Sequence, residues 1–147
     1  MSNYGGNGSM RKLLLSMFAF LLMFLLAGCF NLIQIKSDFE SIGYEQISGT
    51  EGIIDDVMTS FDDAGIMVHC SGYSDGVNYA ILLEFDSRSE LDAQLESNED
   101  LQYVLSSYDV TQLTERNFLI VPVTGSEEIA EVMIQIFHGT YEPTLEE

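Results

Sequence analysis

The order of helical and strand patterns along the chain predicts an α+β fold with a four-stranded antiparallel sheet. Four segments alternate as strands do, and amphipathic helices separate them in the order β-α-β-β-α-β-α. Two of the strands flank Ser74-Asp75-Gly76, which is typical of a hairpin loop because Asp-Gly tolerates positive φ. The strand Val77–Asp86 is apolar on one face and partly apolar on the other, which places it in the middle of the sheet.

The first half of the domain contains two helices and two strands. Ser37-Asp38-Phe39-Glu40 has the pattern of a capping box, so a short first helix begins there and ends near Gly43. Tyr44–Ser48 is predicted to be a short first strand. Gly52–Ala64 is predicted to be a helix, and Ile66–Tyr73 alternates as a second strand. The apolar residues of that helix have i, i+3, i+4, i+7 spacing: Ile54, Val57, Met58 and Phe61.

Two more capping boxes divide the second half. Ser87-Arg88-Ser89-Glu90 opens a helix, which Ser97-Asn98-Glu99-Asp100 interrupts or restarts. Asp109–Arg116 is predicted to be a loop and Asn117–Val123 a strand. Thr124-Gly125-Ser126-Glu127 opens the last helix. Its apolar stripe is Ile129, Val132, Met133 and Ile136.

This element order is that of the split β-α-β, ferredoxin-like fold, with an extra helix at each end. In that fold the third strand is internal and the fourth lies at an edge. Val77–Asp86 fits the internal place. Pro122 fits the edge, because proline cannot donate a hydrogen bond to a neighbouring strand. The prediction depends on Tyr44–Ser48, since without this strand the sheet has only three.

An apolar run near the start of the chain resembles the signal peptide of bacterial lipoprotein precursors. Leu13–Ala27 follows Arg11-Lys12, and the run ends in Leu26-Ala27-Gly28-Cys29, the lipobox pattern of aliphatic, small, small, Cys. The resemblance implies cleavage between Gly28 and Cys29, so that residues 1–28 are removed. It also implies a diacylglyceryl group on the Cys29 sulfur, with a further N-acyl chain such as palmitate as an option. The protein would then be lipid-anchored at the extracytoplasmic face of the cell membrane.

Two alternatives remain open for this leader. A transmembrane anchor needs about 20 apolar residues, more than Leu13–Ala27 supplies unless Phe30–Ile35 is added past the Cys. Met1–Ser9 is polar and has no positive charge. It is either a long n-region or a misassigned start, with translation beginning at Met10.

The chain after Cys29 is strongly acidic. The whole sequence has 24 Asp and Glu against 5 Lys and Arg, a net charge of −19, and only Lys36, Arg88 and Arg116 are basic after Cys29. Such a field repels nucleic acid, which excludes it as a partner. We predict a lipidated tether at residues 29–36, a single α+β domain at 37–140 and an acidic tail at 141–147.

Few residues have a pattern that suggests catalysis. His69 and Cys70 are neighbours on a strand and so point to opposite faces, with Cys70 toward the core. His138 lies in the last turn of a helix, where the helix dipole favours it. The sequence contains no nucleophile elbow, HExxH, P-loop or CxxC motif. We therefore predict that the protein is not an enzyme.

Ligand-binding patterns are weak as well. Asp55, Asp56, Asp62 and Asp63 form the densest acidic cluster, and oxygen ligands suit Ca²⁺, but their spacing matches no EF-hand. We expect a solvated helix face here, with no metal or cofactor. Tyrosines suit ordinary packing as well as contact with protein or carbohydrate. Those singled out are Tyr44, Tyr73, Tyr79, Tyr103, Tyr108 and Tyr141.

Together these patterns predict a non-enzymatic binding or interaction module of the cell envelope. Its partners would be the lipid bilayer, through the Cys29 lipid, and an envelope protein. The alternative is an accessory lipoprotein that binds a small molecule or a divalent cation.

Overall fold

The computed structural model describes residues 32–143. The predicted signal segment and Cys29 lie outside the described residues, as does most of the predicted acidic tail. Residues 35–143 belong to one structural unit. The elements of the described residues are α1 (32–41), β1 (Glu45–Ile47), α2 (Asp55–Asp63), β2 (Val68–Ser74), β3 (Tyr79–Phe85), α3 (Arg88–Ser97), α4 (Glu99–Leu105), a 3-10 turn (Val110–Gln112), β4 (Thr114–Glu115), β5 (Phe118–Val123) and α5 (Glu127–His138).

The five strands form one antiparallel sheet in the order β1-β2-β3-β5-β4. β3 is the central strand, and all its residues except Tyr79 and Glu84 are buried. The α+β class, the antiparallel sheet and the internal position of the third predicted strand are confirmed.

The strand order differs from the predicted ferredoxin-like order. β3 pairs directly with β5 along its length, with Ile81 opposite Val121, so no space remains between them for the first strand. β1 pairs instead with the outer side of β2, where Gln46 lies opposite Tyr73. The segment Asp109–Arg116 was predicted to be a loop. It contains the 3-10 turn and a short strand that was not predicted, β4.

Helices cover both faces of the sheet. Phe39 of α1 stacks on Tyr73, with ring centroids 4.7 Å apart. Phe61 of α2 meets Phe85 edge to face, with centroids 5.5 Å apart. Tyr73 pairs with Ala80, whose side chain points away from the face that carries Phe85, so α1 and α2 lie on opposite faces. The two-sided apolar pattern of β3 requires this double cover.

The predicted helix starts were confirmed in part. Ser87 caps α3, and its hydroxyl accepts a hydrogen bond from Glu90 N at 3.1 Å. The cap of α5 is Ser126, so the predicted start at Thr124 is wrong. Thr124 Oγ1 instead accepts a hydrogen bond from Ser126 N. The predicted start at Ser37 is wrong too, because α1 is already helical at residue 32 and includes residues 32–36 of the predicted tether.

The predicted edge position of the strand that contains Pro122 is wrong, because β5 lies between β3 and β4, although the buried Pro122 has no strand partner on the side away from β3. Ile120 N donates to Leu113 O at 2.9 Å, so the backbone nitrogen of Ile120 points to the outer side of β5, away from β3. Alternate residues of a strand point their backbone groups to the same side, so the nitrogen of Pro122 also faces outward. β4 ends before it reaches Pro122. On the same side, the Tyr108 hydroxyl donates to Pro122 O at 3.3 Å. Among residues 32–143, no helix is long and apolar enough to span a membrane.

Candidate functional site

The predicted lipidation and cleavage residues, Gly28 and Cys29, lie outside residues 32–143. The acidic residues of α2 lie within that range but at the two ends of the helix. Asp55 and Asp62 are separated by about 10 Å of helix rise, so carboxylates from both ends cannot surround one ion. In the part of the chain that the structure describes, no three His, Cys, Asp or Glu side chains are placed to hold a metal ion.

His69 and Cys70 point to opposite faces of the sheet, as predicted. His69 is exposed and lies opposite Glu84, while Cys70 is half-buried and lies opposite Leu83. Burial raises the pKa of the Cys70 thiol above its ordinary value. The thiol is therefore protonated at neutral pH and a weak nucleophile.

His138 connects the end of α5 to the segment around β4. Its Nε2 donates to Gln112 O at 2.7 Å, because a carbonyl oxygen only accepts. Its Nδ1 lies 3.2 Å from Glu115 Oε2. The imidazole thus has structural partners on both ring nitrogens, in addition to the favourable position at the helix C-terminus.

The first candidate binding surface is a groove between the start of α2 and α4, called here the α2–α4 groove. It encloses about 300 Å³. Ile54 and Val57 are buried and form its apolar base. Its exposed or half-buried lining is Ile53, Asp55, Asp56, Asp100, Tyr103 and Val104.

Asn98 holds the two sides of this groove together. It is 9% exposed and caps α4, where its Oδ1 accepts a hydrogen bond from Leu101 N at 3.0 Å. Its Nδ2 donates to Ser60 Oγ of α2 at 2.8 Å and to Gln94 Oε1 of α3 at 3.2 Å. The restart of the helix at Asn98 places Asp100 and Tyr103 one turn apart, on the same face of α4.

The groove carboxylates have no basic partner among residues 32–143. The ion pairs there join Lys36 to Glu40 on α1 and Arg88 to Asp92 on α3, with the His138–Glu115 contact as the third. The sequence had indicated Asp55 and Asp56 as part of an acidic cluster and Tyr103 only as one of several tyrosines. It gave no indication of Asp100, which reaches the groove from another helix.

The second candidate surface is a cleft beside α5, called here the α5 cleft. It encloses about 430 Å³. Hydroxyl and carboxylate groups dominate its lining: Ser107, Tyr108, Asp109, Thr124, Glu127 and Glu131. Hydrogen bonds from the Thr111 hydroxyl and backbone N–H lower the pKa of Asp109, and burial raises that of Tyr108. The cleft therefore presents the ionised carboxylate of Asp109 beside the neutral hydroxyl of Tyr108, a lining that suits a small polar solute.

No known protein family, curated protein or solved structure matches this chain. The groove and the cleft are therefore interpreted from their own residues.

Proposed function

We propose that the chain is a lipoprotein anchored at the extracytoplasmic face of a cell membrane, and that its domain is a non-enzymatic binding module of the envelope. The observation that carries this proposal is Leu26-Ala27-Gly28-Cys29 at the end of an apolar run. Two or more acyl chains on Cys29 would hold the protein stably, because each buried CH₂ contributes about 0.8 kcal/mol.

The placement of the reactive side chains supports binding rather than catalysis. His69 and Cys70 face opposite sides of the sheet, and His138 is held by Gln112 and Glu115. By contrast, the α2–α4 groove and the α5 cleft are open and lined by carboxylates. A membrane-held domain with two acidic recesses is suited to bind a partner of the envelope.

Metabolic labelling with a fatty acid tests the anchor. The full chain is expressed beside two matched variants, Cys29→Ser and Cys70→Ser. We expect label in the wild type and in Cys70→Ser and none in Cys29→Ser, because only the Cys29 thiol would carry lipid. Equal label in Cys29→Ser, or none in any of the three, would contradict the proposal.

The α5 cleft favours a second candidate function, an accessory lipoprotein that binds a small polar solute or a divalent cation. A ligand at about 100 times its Kd raises the free energy of unfolding by about 2.7 kcal/mol. A thermal-shift screen of the full chain in detergent, with Ca²⁺ and common solutes, measures this gain. The gain should shrink in Glu131→Gln. A gain that NaCl of equal ionic strength reproduces would count against specific binding.

A further inference from the structure

We propose that the α2–α4 groove docks a basic segment of a partner protein, with Tyr103 as the aromatic contact and the aspartates as the ion-pair partners. This inference rests on the proposed function as an envelope binding module. It adds the surface that binds and the chemistry of the partner.

Charge complementarity determines which partner fits. Asp55, Asp56 and Asp100 stand around an apolar base, and no Lys or Arg of residues 32–143 pairs with them. The chain as a whole carries −19, so a second copy of the chain would bring like charges to the groove. A segment that contains Lys or Arg supplies the missing positive charge.

The aspartates alone would not indicate a binding surface. Asp55 and Asp56 lie in the first turn of α2, and Asp100 lies in the first turn of α4, where the helix dipole favours anions. That local effect gives no reason for the exposure of Tyr103, whose side chain is 82% exposed at the same groove. An exposed tyrosine beside an apolar recess is typical of the residues that dominate protein interfaces.

The lining fits the two parts of a basic side chain. Half-buried Ile53 and Val104 can cover the aliphatic stem of Lys or Arg, while the charged end reaches the carboxylates. The Tyr103 ring can receive a cation on its face. Arg fits best, because its planar guanidinium pairs with carboxylates through two hydrogen bonds and stacks on aromatic rings.

Peptide titration tests the proposal. The full chain in detergent is isotope-labelled and titrated with an array of short peptides that combine Arg or Lys with Leu, each beside a counterpart with Gln in place of the basic residues. We expect basic peptides to bind and their Gln counterparts not to. The backbone NMR signals that shift should belong to α2 and α4. Binding should weaken as the salt concentration rises.

Matched variants then locate the site. Asp55→Asn with Asp56→Asn should weaken binding by about tenfold, whereas Asp62→Asn with Asp63→Asn changes the charge of the same helix equally and should have little effect. Tyr103→Ala should weaken binding by about tenfold and Tyr103→Phe by much less, because the ring remains. Met67→Ala, at a side chain that is 69% exposed outside the groove, serves as the control. Thermal melts of all variants identify any that unfold.

Several outcomes would overturn the inference. Equal affinity of the two double variants, NMR shifts confined to the α5 cleft, or no preference of any basic peptide over its Gln counterpart would each do so. Self-association of the chain through the groove, or binding of zwitterionic lipid vesicles there, would replace the occupant proposed here. None of these outcomes would affect the proposal that Cys29 is lipidated, which fatty-acid labelling tests separately. Conversely, loss of labelling with peptide binding intact would refute the lipid anchor but not the groove.

Discussion

Gly72 in β2 is a residue at which the absence of a side chain matters. It lies opposite Ile47 of β1, and a Cβ built on it would be 2.5 Å from Ile47 Cγ1 and 2.8 Å from Gly49 O. The side chain of Ile47 therefore occupies the space that any larger residue at position 72 would need. This fit adds to the backbone pairing that attaches β1 to β2.

Gly72→Ala should destabilise the domain. We expect the free energy of unfolding to fall by about 1–3 kcal/mol, because the added methyl group overpacks the contact. Denaturant melts measure the change. Gly125→Ala is the matched control, since a Cβ there meets nothing within 4 Å. Adding Ile47→Ala to Gly72→Ala should restore part of the lost free energy of unfolding, because it removes the side chain that the new methyl group would contact. Equal stability of the two glycine variants would contradict the prediction.

Asp75 organises the loop between β2 and β3. Its carboxylate accepts hydrogen bonds from Asn78 N at 2.7 Å, Asn78 Nδ2 at 2.9 Å and Val77 N at 2.9 Å. These bonds lower the pKa of Asp75 from 3.8 to about 2. Burial, and then the charge of Asp75, raises the pKa of Tyr44 to about 12. Asn78 Oδ1 accepts a hydrogen bond from Thr124 Oγ1 at 2.7 Å, which joins the loop to the end of β5.

The Asp75 pKa predicts a loss of stability in acid. A carboxyl with a lower pKa in the folded state stabilises the fold above its unfolded pKa of 3.8, and the gain disappears as the pH falls toward about 2. The wild type should therefore lose more free energy of unfolding than Asp75→Asn as the pH falls through this window. NMR titration of the Asp75 carboxyl checks the pKa directly. Parallel pH curves for the two proteins would count against this role.

At the scale of the elements, the junction of α3 and α4 is the most consequential connection. Asn98 is the C-terminal cap of α3 and the N-terminal cap of α4, and its side chain donates a hydrogen bond to Ser60 of α2. One residue therefore connects three helices. The α2–α4 groove exists because of this relation.

Asn98→Ala should lower the free energy of unfolding by about 2 kcal/mol, because it removes a helix cap and leaves polar partners of Asn98 without their bonds. Ser97→Ala is the neighbouring control, since the Ser97 hydroxyl donates only to Ala93 O at an exposed site. Asn98→Asp keeps the oxygen that accepts from Leu101 N, so its free energy of unfolding should lie between those of Asn98→Ala and Ser97→Ala. Thermal and denaturant melts report all three. An Asn98→Ala protein as stable as Ser97→Ala would show that the junction does not depend on this side chain.

The sequence predicted the long periodic elements well. β3, β5, α2 and α5 lie within their predicted segments, and β2 extends one residue past its predicted end, to Ser74. Elements of two or three residues are different: β1 is too short to show which strand it pairs with, and β4 is too short to show alternation at all. Helix starts were misplaced where several Ser and Thr residues offered competing caps, as at Thr124 and Ser126.

At the scale of the whole molecule, negative charge dominates. The net charge of −19 opposes the compact state through self-repulsion. Composition alone predicts this negative charge. It does not predict the α2–α4 groove, because Asp55 and Tyr103 belong to different helices and meet only through the packing of α2 on α4.

Added salt should therefore stabilise the fold. Raising the ionic strength from about 0.01 M to about 1 M shortens the screening length from about 30 Å to about 3 Å. We expect the free energy of unfolding to rise by about 1 kcal/mol, which for a domain of this size raises Tm by about 4 °C. NaCl and KCl should act equally in thermal melts. A fall in Tm would contradict the prediction, and a larger gain with Ca²⁺ at matched ionic strength would reveal a specific cation site.

The side of β5 that faces away from β3 affects how neighbouring copies of this chain can pair with one another. Pro122 offers no N–H there, and the Tyr108 hydroxyl already occupies its carbonyl oxygen. A strand from a neighbouring copy finds no N–H donor at this buried position, and the Tyr108 hydroxyl competes for the carbonyl oxygen, so strand pairing between copies is disfavoured here. Many copies packed on a small area would thus be less prone to assemble into fibrils through that side.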